Sequence, residues 1–200
     1  STLSPSSAAS DVYKRQIVIA LLMCGGKGSR LGKGEKPLRE VCGKKLVDHA
    51  LDELRGYDII AVTSPHTPKT RKYLLNMGVD IYKASGLGFI EDYREACIAL
   101  GICEPVFIVS SDIIYFRHGI VDEALETYLL STARALKVVS RNTALGINIL
   151  DAYFIDEEQK EEIYRISELD AININTVKDI KKAEEVWMYT KRGEKGWQKD

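Results

Sequence analysis

The chain has 200 residues, 45% of them hydrophobic and 28% charged, with a formal net charge of −1. That balance suits one globular domain with a substantial core and supplies no overall basic field for nucleic acid or an anionic membrane surface. No apolar run approaches the ~20 residues of a membrane-spanning helix, and four cysteines without C-x-x-C spacing favour reduced thiols in the cytoplasm over a disulfide framework or a zinc site.

Residues 1–16 are polar and Ser-rich, lack the apolar core of a secretory signal, and are read as a non-native or disordered leader. Ile17–Met23 is an apolar run read as a buried first strand, and it empties into Gly25-Gly26-Lys27-Gly28. Leu46, Val47, Ala50, Leu51 and Leu54 recur at helical spacing, with Gly56 as the stop. Asp58–Val62 is the next strand, and Thr67-Pro68 opens a helix through Tyr73, Leu74 and Met77. A short strand at 79–82 precedes Gly86-Leu87-Gly88, which opens a helix through Ile90, Tyr93, Cys97 and Leu100. Pro105–Val109 is a buried strand ending at Ser110-Ser111-Asp112. Beyond it come a helix over 120–130, strands over 135–139 and 144–150, and a short charged surface helix over 156–162. A strand over 171–174 leads to Thr176 and Asp179, a capping-box-like start for a last helix with Val177, Ile180, Ala183 and Trp187 on one face. From Lys191 the sequence reads as a polar tail over 191–200. The alternation predicts an α/β, Rossmann-like single domain over 17–190, a mostly parallel sheet with helices on both faces.

The stretch Ile17–Leu38 carries most of the functional information. A buried strand emptying into glycines, with one Arg and one Lys close behind, can wrap backbone N–H groups and two cations around a phosphate chain. A dinucleotide-binding fingerprint needs a small residue in the third place of G-x-G-x-x-G/A, and counting from Gly26 puts Leu31 there. A P-loop needs Gly where Lys27 stands, and Ser or Thr where Gly34 follows Lys33. What remains is G-G-x-G-x-R-x-G over 25–32, followed by Glu35-Lys36-Pro37-Leu38.

Ligands of open α/β sheets bind beyond the carboxyl ends of the strands, and the candidate residues fall there. They are the glycines after the first strand, Thr63-Ser64-Pro65 after the second, Ser110-Ser111-Asp112, and Asn173 and Asn175 near the end of the last. Asp112 ends an apolar strand and needs a partner, which a magnesium ion or an N-cap position would supply. Asn173 and Asn175 offer neutral oxygens for a metal shell or a ribose, or plain turn chemistry. Arg30 has the planar fork suited to β- and γ-phosphates, and Lys36 is the point charge for the phosphate under attack. Lys27 and Lys33 read as exposed loop charges, and Glu35 as a partner for a neighbour or an aim for Lys36. His49, His66 and His118 form no triad spacing with any Ser or Cys, and His49 and His66 take ordinary structural roles.

The segments LMCGGKGSRLGKGEKPL (22–38), TSPHTPKT (63–70), SGLGFIED (85–92), SSDII (110–114), GIN (146–148) and NINT (173–176) together resemble one family. It is that of the archaeal, CobY-type GTP:adenosylcobinamide-phosphate guanylyltransferases, within the nucleotidyltransferases that have a glycosyltransferase-A-like sheet. The first motif is shared with molybdenum-cofactor and sugar nucleotidyltransferases; 63–70 and 85–92 narrow it to the cobinamide branch. The resemblance implies transfer of GMP from GTP to the phosphate of adenosylcobinamide phosphate, with Mg²⁺ as cofactor and pyrophosphate released. It implies that Gly25, Gly26, Gly28, Arg30 and Lys36 hold the GTP phosphates, with Met23, Cys24 and Lys27 in the same nucleotide-binding turn. Ser64, Ser85, Gly86, Gly88 and Ser111 would lie near base and ribose, and Gly146 and Asn148 would border the acceptor. Arg30, Lys36 and Asp112 are the implied catalytic residues, and Asp112, Asn173 and Asn175 the implied metal ligands. Cys24 stands where that family more often has Ala, Ser29 where Thr is usual, and 131–145 is shorter than its acceptor-side region. Both partners are small molecules, and a homodimer is compatible with this reading. A guanylyl- or cytidylyltransferase with another acceptor, such as molybdopterin or a sugar phosphate, and a non-catalytic nucleotide-binding regulator on the same fold remain alternatives.

Overall fold

A computed structural model describes residues 18–26, 28, 31–32 and 34–196. The strands are β1 (Ile19–Met23), β2 (Glu40–Val41), β3 (Lys44–Lys45), β4 (Asp58–Thr63), β5 (Asp80–Lys83), β6 (Pro105–Ser110), β7 (Ile113–Tyr115), β8 (Ala135–Ser140), β9 (Thr143–Asp151), β10 (Glu161–Ile166) and β11 (Ala171–Asn173). The helices are α1 (Leu46–Glu53), α2 (Pro68–Asn76), α3 (Phe89–Leu100), α4 (Ile120–Leu130) and α5 (Val177–Gly196).

Seven strands form the central sheet in the order β10-β8-β9-β6-β1-β4-β5. β9 runs antiparallel to both of its neighbours, β6 and β8, and every other pairing in the sheet is parallel. The interior strands are apolar because both faces are covered, as the continuous runs Ala20–Met23 and Val106–Val109 require. On one face Val47 and Ala50 of α1 with Leu54 just after it, Leu74 of α2 and Ile120, Ala124 and Tyr128 of α4 close over Leu22, Phe107, Leu136 and Ile147. On the other, Ala96 and Cys97 of α3 meet Leu21, Val62 and Ile108. Helices therefore lie on both faces of a mostly parallel sheet, as the alternation predicts.

A third apolar cluster lies outside the main sheet. It joins Leu31, Val41, Leu46, Ile114, Ile172, Ile174 and Ala183, with Ile180 and Trp187 of α5 against it. Its frame is two small antiparallel pairings, β2 with β3 and β7 with β11. Two- and three-residue strands leave no periodicity to read, so neither β2–β3 nor β7 is expected from sequence.

One expected element is corrected. The charged stretch 156–162 is not a helix; residues 156–160 are irregular and β10 begins at Glu161, parallel to β8 as the outermost strand. Within β10, Tyr164 and Ile166 pack against the core face while Arg165 points away and stays exposed. That two-residue alternation, with β-branched and aromatic residues, outweighs the charge of Glu157, Glu158, Glu161 and Glu162. The first strand starts at Ile19, and Ile17 and the leader lie outside the described residues.

Phe107 anchors the main core. It is fully buried in β6, and its ring meets Tyr57 edge-on at 5.5 Å, while the Tyr57 hydroxyl donates to Asp122 at 2.7 Å. Phe107→Ala is expected to lower stability by about 3–5 kcal/mol, read as a lower midpoint in urea unfolding followed by far-UV circular dichroism.

Candidate nucleotide site

A cavity of about 490 Å³ opens beyond the carboxyl ends of β1 and β6. The glycine turn forms one wall. Its first residue, Cys24, continues the β1 ladder by donating its N–H to Val62 at 2.8 Å. A Cβ on Gly25 would come within 3.0 Å of Asp92 Oδ2 and 3.2 Å of Ser64 Cβ, so any larger residue would have to push those side chains back. Gly28 is left-handed, at φ 61°, and a Cβ there would press on Lys36 Cβ at 3.1 Å. The turn therefore folds back directly onto the lysine.

Lys36 opens a 3₁₀ turn over Lys36–Leu38 with Pro37 buried. Its ammonium donates to the Asp112 carboxylate and, at 3.0 Å, to Asn175 Oδ1. The Lys36 and Asp112 side chains are 15% and 16% exposed, a half-sheltered ion pair on the cavity wall. The second Asp112 oxygen accepts from Ser110 Oγ at 2.6 Å. Asn175 reaches this cluster because β11 pairs antiparallel with β7, directly downstream of Asp112, and Ile174 N–H donates to Asp112 O at 2.8 Å.

Glu35, beside the lysine, is spent on structure. Its carboxylate accepts from the N–H groups of Lys69 and Thr70 at 2.8 and 2.5 Å and from Thr70 Oγ1 at 2.6 Å. It thus caps the first turn of α2 from outside, where the helix has unsatisfied N–H groups and a positive dipole end. Fixing Glu35 fixes the chain immediately before Lys36.

The opposite wall is the loop after β5. Ser85 N–H donates to Glu95 at 3.0 Å and Gly86 N–H to Asp92 Oδ1 at 2.8 Å, so two carboxylates of α3 hold it. Gly86 is left-handed, and a Cβ there would meet Ser64 Cβ at 3.1 Å.

Most of the sequence-predicted residues meet at this cavity. Met23, Cys24, Gly25, Gly26, Gly28, Lys36, Gly86, Gly88, Ser111, Asp112 and Asn175 all line it. Ser64 lies behind the glycine turn, its hydroxyl donating to Gly25 O at 2.6 Å and accepting from His66 N at 3.1 Å. Ser85 is off the lining and tied to Glu95. Gly146 backs Ser110, where a Cβ would come within 2.9 Å of Ser110 Cβ. Asn148 is a half-buried residue of β9 opposite Ile108 and Lys137, away from the cavity. Asn173 donates its amide to Leu145 O at 2.8 Å, while its Oδ1 is buried without a partner. Arg30, Lys27, Ser29 and Lys33 lie outside the described residues.

Sequence reasoning missed Asp92 and the capping role of Glu35. Asp92 stands inside a quoted motif, but nothing in residue spacing says that a first-turn carboxylate on α3 will face a glycine beyond the end of β1. His66, expected to be structural, lies on the cavity rim. Among the described residues no three His, Cys, Asp or Glu side chains gather into a metal cluster.

A glycine turn at the end of a parallel strand, folded onto a lysine that pairs with an aspartate on the same cleft wall, is the arrangement expected of a nucleotidyltransferase-type α/β protein. Residues 20–164 match the model of the MobA-like NTP transferase domain, and the chain belongs to that family. It is 35% identical over 192 residues to a protein of Methanocaldococcus jannaschii named adenosylcobinamide-phosphate guanylyltransferase, covering 82% of this chain and 95% of that one. A crystal structure from Bacillus anthracis, described as a glucose-1-phosphate thymidylyltransferase in complex with sucrose, shares the fold. It superposes at a TM-score of 0.67 with 13% identity, covering 85% of this chain and 95% of the other. No helix among the described residues is long and apolar enough to cross a membrane.

Burial pushes the Cys24 thiol up to about 12, with the Asp112 charge acting in the same direction against a hydrogen bond from Ser111. Cys42 and Cys97 are likewise raised by burial to about 11. Cys24 is thus a small apolar wall element rather than a nucleophile. Titration of the native protein with a thiol-reactive disulfide is expected to modify the exposed Cys103 rapidly, and the buried Cys24, Cys42 and Cys97 only after denaturation.

Proposed function

We propose that the chain transfers GMP from GTP to the phosphate of adenosylcobinamide phosphate, releasing pyrophosphate. The observation that carries this reading is Lys36, held by Asp112 and Asn175 on a cleft lined by Gly25, Gly26 and Gly28 of the glycine turn. The match to the archaeal relative along nearly its whole length supports the choice of nucleotide and acceptor.

In this reaction an oxygen of the acceptor phosphate attacks the α-phosphorus of GTP. One phosphorus–oxygen bond forms, the α–β bridge breaks, and its electron pair leaves on pyrophosphate. A phosphate monoester has its second pKa at ~6, so the nucleophile is anionic at neutral pH and needs no general base. The work falls to groups that neutralise developing charge. Lys36 serves the α-phosphoryl oxygens, Arg30 the departing pyrophosphate, and the glycine-turn N–H groups the phosphate chain. Gly146 and Asn148 border the acceptor.

Magnesium fits the oxygens present. Asp112 offers a carboxylate on the cavity wall, and Asn173 has a buried carbonyl oxygen with no partner. Two such ligands suit an ion that keeps several waters and takes substrate phosphates as the rest of its shell. Asp112 and Asn173, with Asn175, would hold Mg²⁺, which supplies charge neutralisation to the nucleotide phosphates. Buried reduced cysteines suit a cytoplasmic location.

Pyrophosphate release with GTP, Mg²⁺ and adenosylcobinamide phosphate tests the reading, with ATP and CTP in parallel. Turnover with GTP alone is expected. GTP binding without pyrophosphate in the presence of that acceptor would remove the acceptor assignment. Lys36→Ala is expected to lower kcat by about 10²–10³-fold, measured where circular dichroism shows the variant still folded; near-normal turnover would remove Lys36 from the chemistry.

A further inference from the structure

The cavity changes character along its length. One end holds the ionic groups Lys36 and Asp112; the other is walled by Leu87 and Phe89, 80% and 43% exposed, and by Met23. Flat apolar walls suit a heterocyclic base, and an ionic end suits phosphates. Set into the apolar end is one charged residue, Asp92, only 4% exposed yet on the lining.

Asp92 forms no ion pair with a described residue. Its Oδ1 accepts the Gly86 N–H at 2.8 Å, and its Oδ2 lies against Gly25, close enough that a Cβ there would come within 3.0 Å. Holding the Gly86 loop occupies one oxygen. A carboxylate oxygen is an acceptor only. On the cavity lining, Asp92 suits a ligand edge that donates.

We infer that Asp92 is the base-selecting residue of this cleft, accepting the N1–H and 2-amino donors of guanine. This rests on the guanylyl-transfer reading. Guanine presents two adjacent donors on that edge, one for Oδ2 and one for the lone pair of Oδ1 that the Gly86 N–H leaves free. Adenine presents the acceptor N1, and cytosine the acceptor N3, so each would set a lone pair against the carboxylate. A site built to hydrogen-bond a substrate group rejects analogues lacking it far more strongly than an apolar pocket can. Asp92 acts on selectivity and touches no reacting bond.

The test measures dissociation constants of GTP, ITP, XTP and ATP with Mg²⁺ for the full chain and for Asp92→Asn. The asparagine keeps an oxygen for the Gly86 N–H but replaces the second acceptor with a donor. Xanthine carries a carbonyl where guanine carries the 2-amino group, so the variant and XTP are complementary. Wild-type protein is expected to bind GTP best and ITP about 10-fold more weakly. Asp92→Asn is expected to lose about 100-fold in GTP affinity and to gain at least as much for XTP relative to GTP. An equal loss for all four nucleotides would overturn the inference, leaving Asp92 as a loop brace only. Unchanged GTP affinity would overturn it too. Wild-type protein that fails to prefer GTP over ATP would instead overturn the guanylyl reading itself, a result independent of the variant.

Discussion

The ion pair between Lys36 and Asp112 ties together parts of the chain that have no other reason to meet. Lys36 comes from the return limb of the glycine turn, Asp112 from the end of β6, and Asn175 from the segment between β11 and α5. Neither charge is free in solvent, so neither can be left without the other at modest cost. The surroundings are arranged to keep them in place. Glu35 pins the lysine limb to α2, Ser110 holds the second Asp112 oxygen, and the β7–β11 pairing delivers Asn175. The third apolar cluster, which reaches the cavity at Leu31, holds these segments together, since Ile114, Ile172 and Ile174 interleave with Asp112, Asn173 and Asn175.

Close approach at the glycines is the second constraint. Gly25 and Gly86 both press on Ser64, and Gly28 presses on Lys36. Ser64 therefore serves as a spacer between the two walls of the cleft, and its hydrogen bond to Gly25 O sets their separation. The carboxylates of α3 hold the far wall while Glu35 holds the near one. Three acidic side chains thus shape the cleft, each holding backbone N–H groups of its walls.

Much of this was legible in the sequence, and the reasons for the remainder are physical. The buried parallel strands are readable because β1 and β6 must be apolar on both faces, and α3 and α4 because their glycine boundaries and periodic apolar residues agree. The convergence of the glycine turn, Asp112 and Asn175 follows from the rule that ligands bind beyond strand ends. β10 was misread because Glu157, Glu158, Glu161 and Glu162 look like a solvated helix until Tyr164 and Ile166 are seen to share a face. β7 and the β2–β3 hairpin are too short to carry a pattern. The Lys36–Asp112 contact spans 76 residues, and no local spacing encodes it. The same holds for Glu35 at the end of α2 and Asp92 against Gly25.

The pairing of Lys36 with Asp112 also bears on how a nucleotide would enter. In the proposed guanylyl transfer the ammonium would serve the α-phosphoryl oxygens, and the carboxylate would help to hold a magnesium ion. Each partner of the resting pair would then gain a group of the same sign as the one it gives up. Neither sheltered charge would have to stand alone, which is the costly event in sheltered electrostatics. Glu35, Ser110 and the β7–β11 pairing already fix the frame around the pair. Such a frame is what electrostatic catalysis requires, since groups aimed before the reaction need no reorganisation during it. In the proposed reaction the nucleophile would arrive already ionised, so the cleft would need cations and N–H groups but no general base.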